Sequence, residues 1–323
     1  MDRTVRGPVE AGSDASMPVS GGGVRVRFLG TRGSIASPGP HTSHFGGNTP
    51  CIEVVAGGQR LIFDAGTGIR ALGAELTEGG DPVRATLFLT HFHWDHIQGF
   101  PFFAPVYDER SELHVVGPVQ TSADGEQSSV RALVEGLFES SYFPIPPSSI
   151  AEACTFGHLN EGAWQHHDVT VRAMRVKHPS FAVGYRVDFA GRSVAYVPDN
   201  ELASDAYDVS ADWWPRFVGF LSGVDVLVHD AMFTDEEYAS HAGHGHSSVG
   251  QVMDLADEVG AGDLVLFHHA PSRTDDELAD VVDRARNDLL AGGRSFGLRA
   301  AREGEVIRIG GGSSEGREDL DGG

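Results

Sequence analysis

The chain is organised around one stretch, Leu87-Phe-Leu-Thr-His91-Phe-His93-Trp-Asp95-His96-Ile-Gln-Gly99. Its first half is short, apolar and β-prone, which predicts a buried strand that ends at the polar half. Three imidazoles and one carboxylate within six residues are difficult to explain by packing, because each buried polar group needs its own partner. A divalent metal would satisfy all four groups at once, and imidazole and carboxylate ligands suit zinc, manganese or iron.

The spacing of these four residues indicates two neighbouring metals. On a tight loop, His91 and His93 point to one side, whereas Asp95 and His96 point to another. The alternative interpretation is a solvated histidine-rich turn, which we would favour for an isolated His-x-His. The full His-x-His-x-Asp-His sequence after an apolar strand favours the metal site instead.

The composition is that of a globular protein. With 323 residues, 40% hydrophobic and 22% charged, the chain can form one large domain or two small ones. It has no apolar run that could span a bilayer and no hydrophobic signal core, so we expect a cytoplasmic protein without membrane association. Cys51 and Cys154 have no metal-site spacing; we expect buried thiols, with a Cys51–Cys154 disulfide as the alternative.

The net charge of the chain bears on the class of substrate. It is −22 for the chain, of which residues 1–22 carry −1 and residues 311–323 carry −3, leaving −18 on the body. An acidic body repels a polyanion unless a local basic patch intervenes, which favours a small substrate over long nucleic acid. Because both ends are rich in Gly and Ser, we predict disordered tails at 1–22 and 311–323 around one domain, residues 23–310.

Between these tails, predicted strands alternate with predicted helices. Residues 142–147 are rich in proline and are predicted to form a loop. Thr274 and Glu277 match a capping box at the start of the last predicted helix. The two halves imply two sheets, each covered by helices. Periodicity alone assigns the fold to the α/β or α+β class. We predict strands at 24–29, 51–55, 60–64, 84–89, 113–116, 169–176, 182–188, 193–197, 224–228 and 264–267, and helices at 69–76, 129–138, 248–259 and 275–290.

The metal stretch resembles the signature of the metallo-β-lactamase fold hydrolases. Three later strands end in residues that resemble the successive motifs of this superfamily, His178, Asp199 and His268. The resemblance implies a four-layer αββα sandwich with metals at one edge between the sheets. It also implies two ligand sets joined by a bridging residue: His91, His93 and His178 for metal 1, Asp95, His96 and His268 for metal 2, and Asp199 for both.

The last histidine ligand has a competitor. His269 follows His268 directly, and either imidazole could fill the motif position. We choose His268 because it comes straight after the apolar run, and we assign His269 to the surroundings of the site.

Further motifs resemble the ribonuclease Z-like and cyclic-phosphodiesterase branch. Thr31-Arg-Gly-Ser34, Gly46-Gly-Asn-Thr-Pro50 and Phe63-Asp-Ala-Gly-Thr-Gly68 are similar to its N-terminal signatures. Their Gly-rich turns could bring backbone N–H groups near an anion. Arg32 is a candidate phosphate contact, with a surface arginine as the alternative.

Two later motifs carry candidate catalytic residues. Val228-His-Asp-Ala-Met-Phe233 and Gly243-His-Gly-His-Ser-Ser248 resemble a motif pair in which an acidic residue orients a histidine that assists the leaving oxygen. The matching residues are Asp230, where the family has glutamate, and His246. For His244 the alternative is an exposed loop, with Ser247 or Ser248 capping the next helix.

Ribonuclease Z inserts a tRNA-binding arm between its third-motif histidine and the bridging aspartate. Here only 20 residues separate His178 from Asp199, so the arm is absent. Together with the acidic body, this argues against tRNA as substrate.

The resemblance implies hydrolysis of a small, cyclic phosphodiester by metal-bound hydroxide. Asp95 would steer the hydroxide, and two divalent ions are expected, with zinc first and manganese or iron as alternatives. Alternative functions are a lactone, thioester or ester hydrolase of the same fold and a non-catalytic metal-binding sensor. A diiron oxidoreductase is disfavoured, because such proteins carry an added flavin-binding domain. A homodimer is an expectation of the family.

Overall fold

Two large β-sheets form the centre of the molecule. The computed structural model describes residues 10–12, 22–121 and 124–310. Up to residue 160, the strands are β1 (Glu10–Gly12), β2 (Val24–Gly30), β3 (Cys51–Ala56), β4 (Gln59–Phe63), β5 (Arg84–Phe88), β6 (Glu112–Gly117), β7 (Gln120–Thr121), β8 (Gln127–Ser128) and β9 (Cys154–His158). The later strands are β10 (Gly162–His166), β11 (Val169–Arg175), β12 (Val183–Phe189), β13 (Arg192–Val197), β14 (Val226–Asp230), β15 (Asp263–Phe267), β16 (Gly297–Ala300) and β17 (Val306–Ile309).

Helices connect and cover these strands. The α-helices are α1 (Ile69–Thr77), α2 (Trp94–Ile97), α3 (Val130–Glu135), α4 (Trp213–Leu221), α5 (Asp235–His241), α6 (Val249–Val259) and α7 (Asp275–Ala291). Short 3-10 helices lie at Phe100–Phe102, Ala104–Tyr107, Gly136–Phe138 and Pro147–Ile150. The predicted capping box at the start of α7 is present, since Thr274 and Glu277 exchange side chain to backbone hydrogen bonds. None of the helices in the described ranges has both the length and the apolarity needed to cross a membrane.

The strand order places several strand ends at one edge. Within the described residues, the first sheet has the order β1-β17-β2-β3-β4-β5-β6-β9 and the second runs from β10 to β16 in sequence. Strands β13, β14, β15 and β16 are parallel, and β11 runs in the same direction because it is antiparallel to β12, which is antiparallel to β13. The carboxyl ends of β11, β13, β14 and β15 therefore meet at the same edge of the second sheet.

A core of aromatic and β-branched side chains holds the two sheets face to face. Phe63 of β4 stacks on Phe88 of β5 with ring centroids 5.3 Å apart. It also packs against Tyr185 and Tyr196 of the second sheet at 5.5 Å and 5.9 Å. This contact across the sheets is the middle of the sandwich and fixes one sheet against the other.

The helices cover the two outer faces. On the first sheet, α1 and α3 contribute Ile69, Leu72, Val130 and Val134 to a separate buried cluster. On the second sheet, α4, α6 and α7 bury their apolar faces in another cluster. The predicted four-layer αββα sandwich is confirmed.

Most predicted elements lie where the sequence places them, but some were missed. The sequence did not predict helices α2, α4 and α5, the short strands β7 and β8, or strands β9, β10, β16 and β17. Cys51 and Cys154 are both buried and free, so the alternative disulfide does not form. Within the predicted N-terminal tail, residues 10–12 form β1 against β17 and depart from the prediction; residues 1–9, 13–21 and 311–323 lie outside the described residues.

Two leucines test the outer core. Leu227 on β14 is fully buried under the helices, whereas Leu290 near the end of α7 is 74% exposed. We expect Leu227→Ala to lower the free energy of unfolding by about 2–5 kcal/mol, because it leaves a cavity. Leu290→Ala should change it by no more than about 0.5 kcal/mol. Urea unfolding of the metal-free proteins measures both, and similar losses for the two variants would contradict the described packing.

Candidate metal centre

The loop after β5 presents the first group of metal-binding side chains. The chain leaves the sheet at Leu89, and His93 adopts an extended conformation that begins helix α2. This short helix places Asp95 and His96 in its first turn, and the His96 carbonyl accepts a hydrogen bond from Ala65 N–H at 2.7 Å. The predicted strand and polar loop are therefore both present, and the loop is fixed by its backbone.

The seven predicted ligands converge at the carboxyl edge of the second sheet. His178 follows β11, Asp199 follows β13 and His268 follows β15. Asp199 Oδ2 lies 3.8 Å from Nε2 of both His91 and His178. Asp199 Oδ1 lies 3.0 Å from His96 Nε2 and 3.3 Å from His268 Nε2. The two oxygens of one carboxylate thus face two separate pairs of imidazoles.

The remaining two predicted ligands complete these groups. His93 Nδ1 lies 3.1 Å from His178 Nε2. Asp95 Oδ2 lies 3.2 Å from His268 Nε2 and 3.3 Å from His96 Nε2. One ligand atom from each of His91, His93, His178 and Asp199 fits within 4.8 Å, and the same holds for Asp95, His96 and His268. The structure therefore assembles the two predicted sets on either side of Asp199.

The donor atoms fit a divalent cation. His91 Nε2, His96 Nε2 and Asp199 Oδ1 are buried and form no hydrogen bond in the described structure. Such groups are costly to bury without a partner, and nitrogen and carboxylate oxygen are the donors that zinc, manganese and iron accept. Burial lowers the pKa of His91 and lowers the pKa of His178 to about 4. Both imidazoles are therefore neutral near pH 7, the form that binds metal.

Asp64 orients two of these ligands from behind. Its fully buried carboxylate accepts hydrogen bonds from Thr90 N–H at 2.8 Å, from Tyr196 Oη at 3.0 Å and from His96 Nδ1 at 2.8 Å. Thr90 Oγ1 in turn lies 3.1 Å from Nδ1 of His91. Holding the Nδ1 proton leaves the His96 Nε2 lone pair directed at the cluster. In the sequence, Asp64 stands out only as part of a Gly-rich turn, and this role was not predicted.

Two glycines allow the backbone to approach the histidine ligands. A Cβ atom at Gly33 would lie 2.3 Å from His268 Nδ1, and one at Gly245 would lie 2.5 Å from His178 Nδ1. Gly245 also has a φ of +92°, which favours glycine, and its carbonyl lies 3.2 Å from His178 Nδ1. These close contacts fix the orientation of both imidazole rings.

Arg32 does not have either of the roles considered for it. It is fully buried, and its guanidinium donates to the backbone carbonyls of Gly46 at 3.2 Å and 2.9 Å, of Ala270 at 3.0 Å and of Arg273 at 2.8 Å. The arginine therefore ties three backbone segments together and is neither a phosphate contact nor a surface residue. His269 is likewise structural, since its Nε2 lies 2.9 Å from the Ala301 carbonyl.

The predicted pair of Asp230 and His246 forms beside the cluster. Asp230 Oδ2 lies 3.0 Å from His246 Nδ1, so the shorter carboxylate reaches the imidazole. The His246 ring stacks on His268 with centroids 4.8 Å apart and lies 5.8 Å from His178. Burial disfavours the charged form of His246, but the Asp230 carboxylate outweighs it and raises the pKa of His246 to about 9. One ring nitrogen of His246 lies within 4.8 Å of ligand atoms of Asp199 and His268, which places this imidazole directly beside the cluster.

Glu201, which was not predicted as a site residue, organises the loop that carries His246. Its fully buried carboxylate accepts hydrogen bonds from Tyr207 Oη at 2.6 Å and Tyr238 Oη at 2.9 Å. It also accepts from Gly243 N–H at 2.6 Å and Gly245 N–H at 2.8 Å. The Glu201 carboxylate therefore holds the backbone of the loop just before His246.

The neighbouring residues of this loop have other positions. His244 is exposed, which agrees with the alternative prediction of an exposed loop. Ser248 caps α6 through a capping box with Gln251. Neither residue takes part in the metal cluster.

Comparisons with known proteins agree with this geometry. The sequence profile described as "Beta-lactamase superfamily domain" matches residues 59–269, so the chain belongs to the β-lactamase superfamily. Its relatives include the Ribonuclease Z of Mycobacterium sp. strain KMS, 27% identical over 285 residues that cover 81% of this chain and 90% of the relative. The Ribonuclease Z of Haloarcula marismortui is 23% identical over 305 residues, with coverage of 82% and 91%.

Solved structures show the same fold. The metallo-β-lactamase fold protein YhfI from Bacillus subtilis superposes with a TM-score of 0.62 at 19% identity, covering 89% of this chain and all of YhfI. The short form of human tRNase Z gives a TM-score of 0.58 at 20% identity, covering 90% of this chain and 100% of that one. The chain is thus a ribonuclease Z-like member of the superfamily and a metal-dependent hydrolase, as predicted.

Replacing Asp64 tests the orientation of the ligands. We expect Asp64→Asn to weaken zinc affinity about 10–100-fold, because the amide no longer holds the His96 proton as a carboxylate does. Titration of the metal-free protein against a competing chelator measures this. The matched control is Asp225→Asn. Asp225 is a buried aspartate that accepts a hydrogen bond from Ser193 N–H and directly precedes the amino end of β14, whereas the metal cluster lies at the carboxyl end. This substitution should leave zinc affinity unchanged. Equal losses would show that Asp64 acts only through stability.

Proposed function

We propose that this protein is a dinuclear-metal-dependent phosphodiesterase that acts on small phosphodiesters, cyclic nucleotides among them. One observation carries the proposal. The two oxygens of Asp199 face separate imidazole groups, 3.8 Å from His91 on one side and 3.0 Å from His96 on the other, with the His246–Asp230 pair alongside. A site for two cations with an adjacent proton donor suits hydrolysis of a phosphodiester better than binding alone.

The seven converging residues would hold two divalent ions, with zinc preferred by the histidine-rich donor set. Metal 1 would bind His91, His93 and His178, metal 2 would bind Asp95, His96 and His268, and Asp199 would bind both. Bound there, the two cations would supply an activated water and would neutralise charge on the phosphoryl oxygens.

The protein's own side chains would move the protons. Asp95 is held by Ser34 N–H, which donates to its Oδ2 at 2.8 Å, and its carboxylate would orient the attacking water. His246 would donate a proton from Nε2 to the leaving oxygen, while Asp230 holds Nδ1 and stabilises the charged ring. The leaving group then departs as an alcohol rather than as an alkoxide.

Charge and topology support a small substrate. The net charge of −22 opposes the approach of a polyanion. Between His178 and Asp199 the chain forms only β12, β13 and their short connections, so no long insertion is available there to bind nucleic acid.

A substrate panel tests the proposed reaction. Zinc-, manganese- and iron-loaded protein should hydrolyse bis-p-nitrophenyl phosphate and 2′,3′- or 3′,5′-cyclic nucleotides, and chelation should abolish the activity. Lactones and thioesters should react more slowly than the phosphodiesters. Faster hydrolysis of a lactone or thioester would contradict the proposal, and metal binding without turnover on any substrate would indicate a sensor.

His246→Ala tests the proton donor. We expect kcat for a cyclic nucleotide to fall about 10²–10⁴-fold, because its alkoxide leaving group needs a proton. The loss for bis-p-nitrophenyl phosphate should be much smaller, because nitrophenolate leaves without protonation. Steady-state kinetics and metal content should be measured together, with His244→Ala, an exposed histidine of the same loop, as the control. Equal losses for both substrates, or loss of metal from His246→Ala, would show that the assigned role is wrong.

A further inference from the structure

The loop that leads to His246 consists of turns and bends. Its two glycines, Gly243 and Gly245, have φ values of +91° and +92°, a conformation that glycine adopts readily and also leaves readily. Gly243 N–H donates to Glu201 Oε1 at 2.6 Å, and Gly245 N–H donates to Glu201 Oε2 at 2.8 Å. Because hydrogen bonds to an ionised carboxylate are stronger than neutral ones, Glu201 fixes the path of this loop.

Each oxygen of the Glu201 carboxylate has two donors. Oε1 accepts from Tyr238 Oη at 2.9 Å as well as from Gly243, and Oε2 accepts from Tyr207 Oη at 2.6 Å as well as from Gly245. A tyrosine hydroxyl can turn and accept a hydrogen bond, but a backbone N–H can only donate. Both oxygens must therefore be acceptors. A glutamine at this position would set its amide NH₂ against one of the glycine N–H groups.

Gly245 connects this carboxylate to a candidate metal ligand. Its N–H is bound to Glu201, and its carbonyl oxygen lies 3.2 Å from His178 Nδ1. With Nδ1 held in this way, His178 Nε2 lies 3.8 Å from Asp199 Oδ2, on the side of the cluster. A contact of this kind fixes the ring orientation of a metal-binding histidine.

The next residue after Gly245 is His246, and the segment that contains Glu201 holds both sides of it. On the far side, Ser247 Oγ donates to the Asn200 carbonyl at 2.5 Å. On the near side is the Gly245 N–H bond to Glu201. The backbone on either side of His246 is therefore tied to the chain that follows β13.

We propose that Glu201 is a positioning residue that, through Gly245, holds the imidazoles of His178 and His246 in their relative positions, with ring centroids 5.8 Å apart. One carboxylate thus aligns a metal ligand with the proton donor. The part that concerns His246 rests on the proposed function, whereas the part that concerns His178 requires only metal binding. A proton donor displaced from the reacting atoms loses much of its effect on the rate.

Glu201→Gln tests this alignment. We expect the zinc affinity of the metal-free full-length protein, titrated against a competing chelator, to fall about 10-fold, because the His178 ring loses its support. At saturating zinc, kcat for a 2′,3′-cyclic nucleotide should fall about 10²-fold, because the displaced His246 no longer protonates the leaving oxygen. The fall in kcat for bis-p-nitrophenyl phosphate should be much smaller, because nitrophenolate leaves without a proton.

The matched control is Glu53→Gln. Glu53 also has a buried carboxylate, and it accepts hydrogen bonds from Arg25 at 3.0 Å and Arg60 at 2.7 Å, both in the first sheet. This variant should lose free energy of unfolding, as Glu201→Gln does, but should retain the zinc affinity and the ratio of the two kcat values. If Glu201 acts on stability alone, the two variants will behave alike in all three measurements.

A second variant, Tyr207→Phe/Tyr238→Phe, keeps the Glu201 carboxylate and removes two of its four donors. It should show the pattern of Glu201→Gln with smaller changes, and it decides the question if Glu201→Gln does not fold. Behaviour like that of Glu53→Gln, or equal losses of kcat for the two substrates, would overturn the proposal. A fall in zinc affinity in a protein that hydrolyses no phosphodiester would support the link to His178 and refute the reaction, together with the role assigned to His246.

Discussion

The structure depends on one buried carboxylate that faces two groups of buried imidazoles. Asp199 Oδ1 forms no hydrogen bond, and neither does Nε2 of His91 or of His96, although all three are buried. In an apolar interior such atoms destabilise the fold unless a cation binds them. Binding of a divalent cation there would therefore stabilise this edge of the sandwich.

The rest of the site consists of layers that hold these atoms in place. Asp64 fixes the proton of His96, Gly33 and Gly245 let backbone pack against the rings, and Glu201 anchors the loop that ends in His246. Most of these contacts involve backbone groups or buried carboxylates. The orientation of the candidate ligands therefore comes from the rigid sandwich.

The candidate ligands could be found in the sequence because His178, Asp199 and His268 each follow an apolar strand and the other four share the loop after β5. Their division into two sets came from the resemblance to a known family. Asp64 and Glu201 could not be assigned, since their partners are distant in the chain, as with Tyr196 for Asp64 and Gly243 for Glu201. Arg32 was misassigned because only tertiary packing shows that backbone carbonyls surround its guanidinium. Helix α4 was missed because its Trp-Trp-Pro start places a proline in the first turn, where the sequence alone does not distinguish the start of a helix from a turn.

The most direct test of the account is anomalous X-ray diffraction from crystals of the zinc-loaded protein at the zinc absorption edge. The account predicts two peaks about 3.5–4 Å apart, one on each side of the Asp199 carboxylate and each surrounded by the imidazoles assigned to it. A single peak, or peaks that do not contact Asp199, would contradict the dinuclear centre.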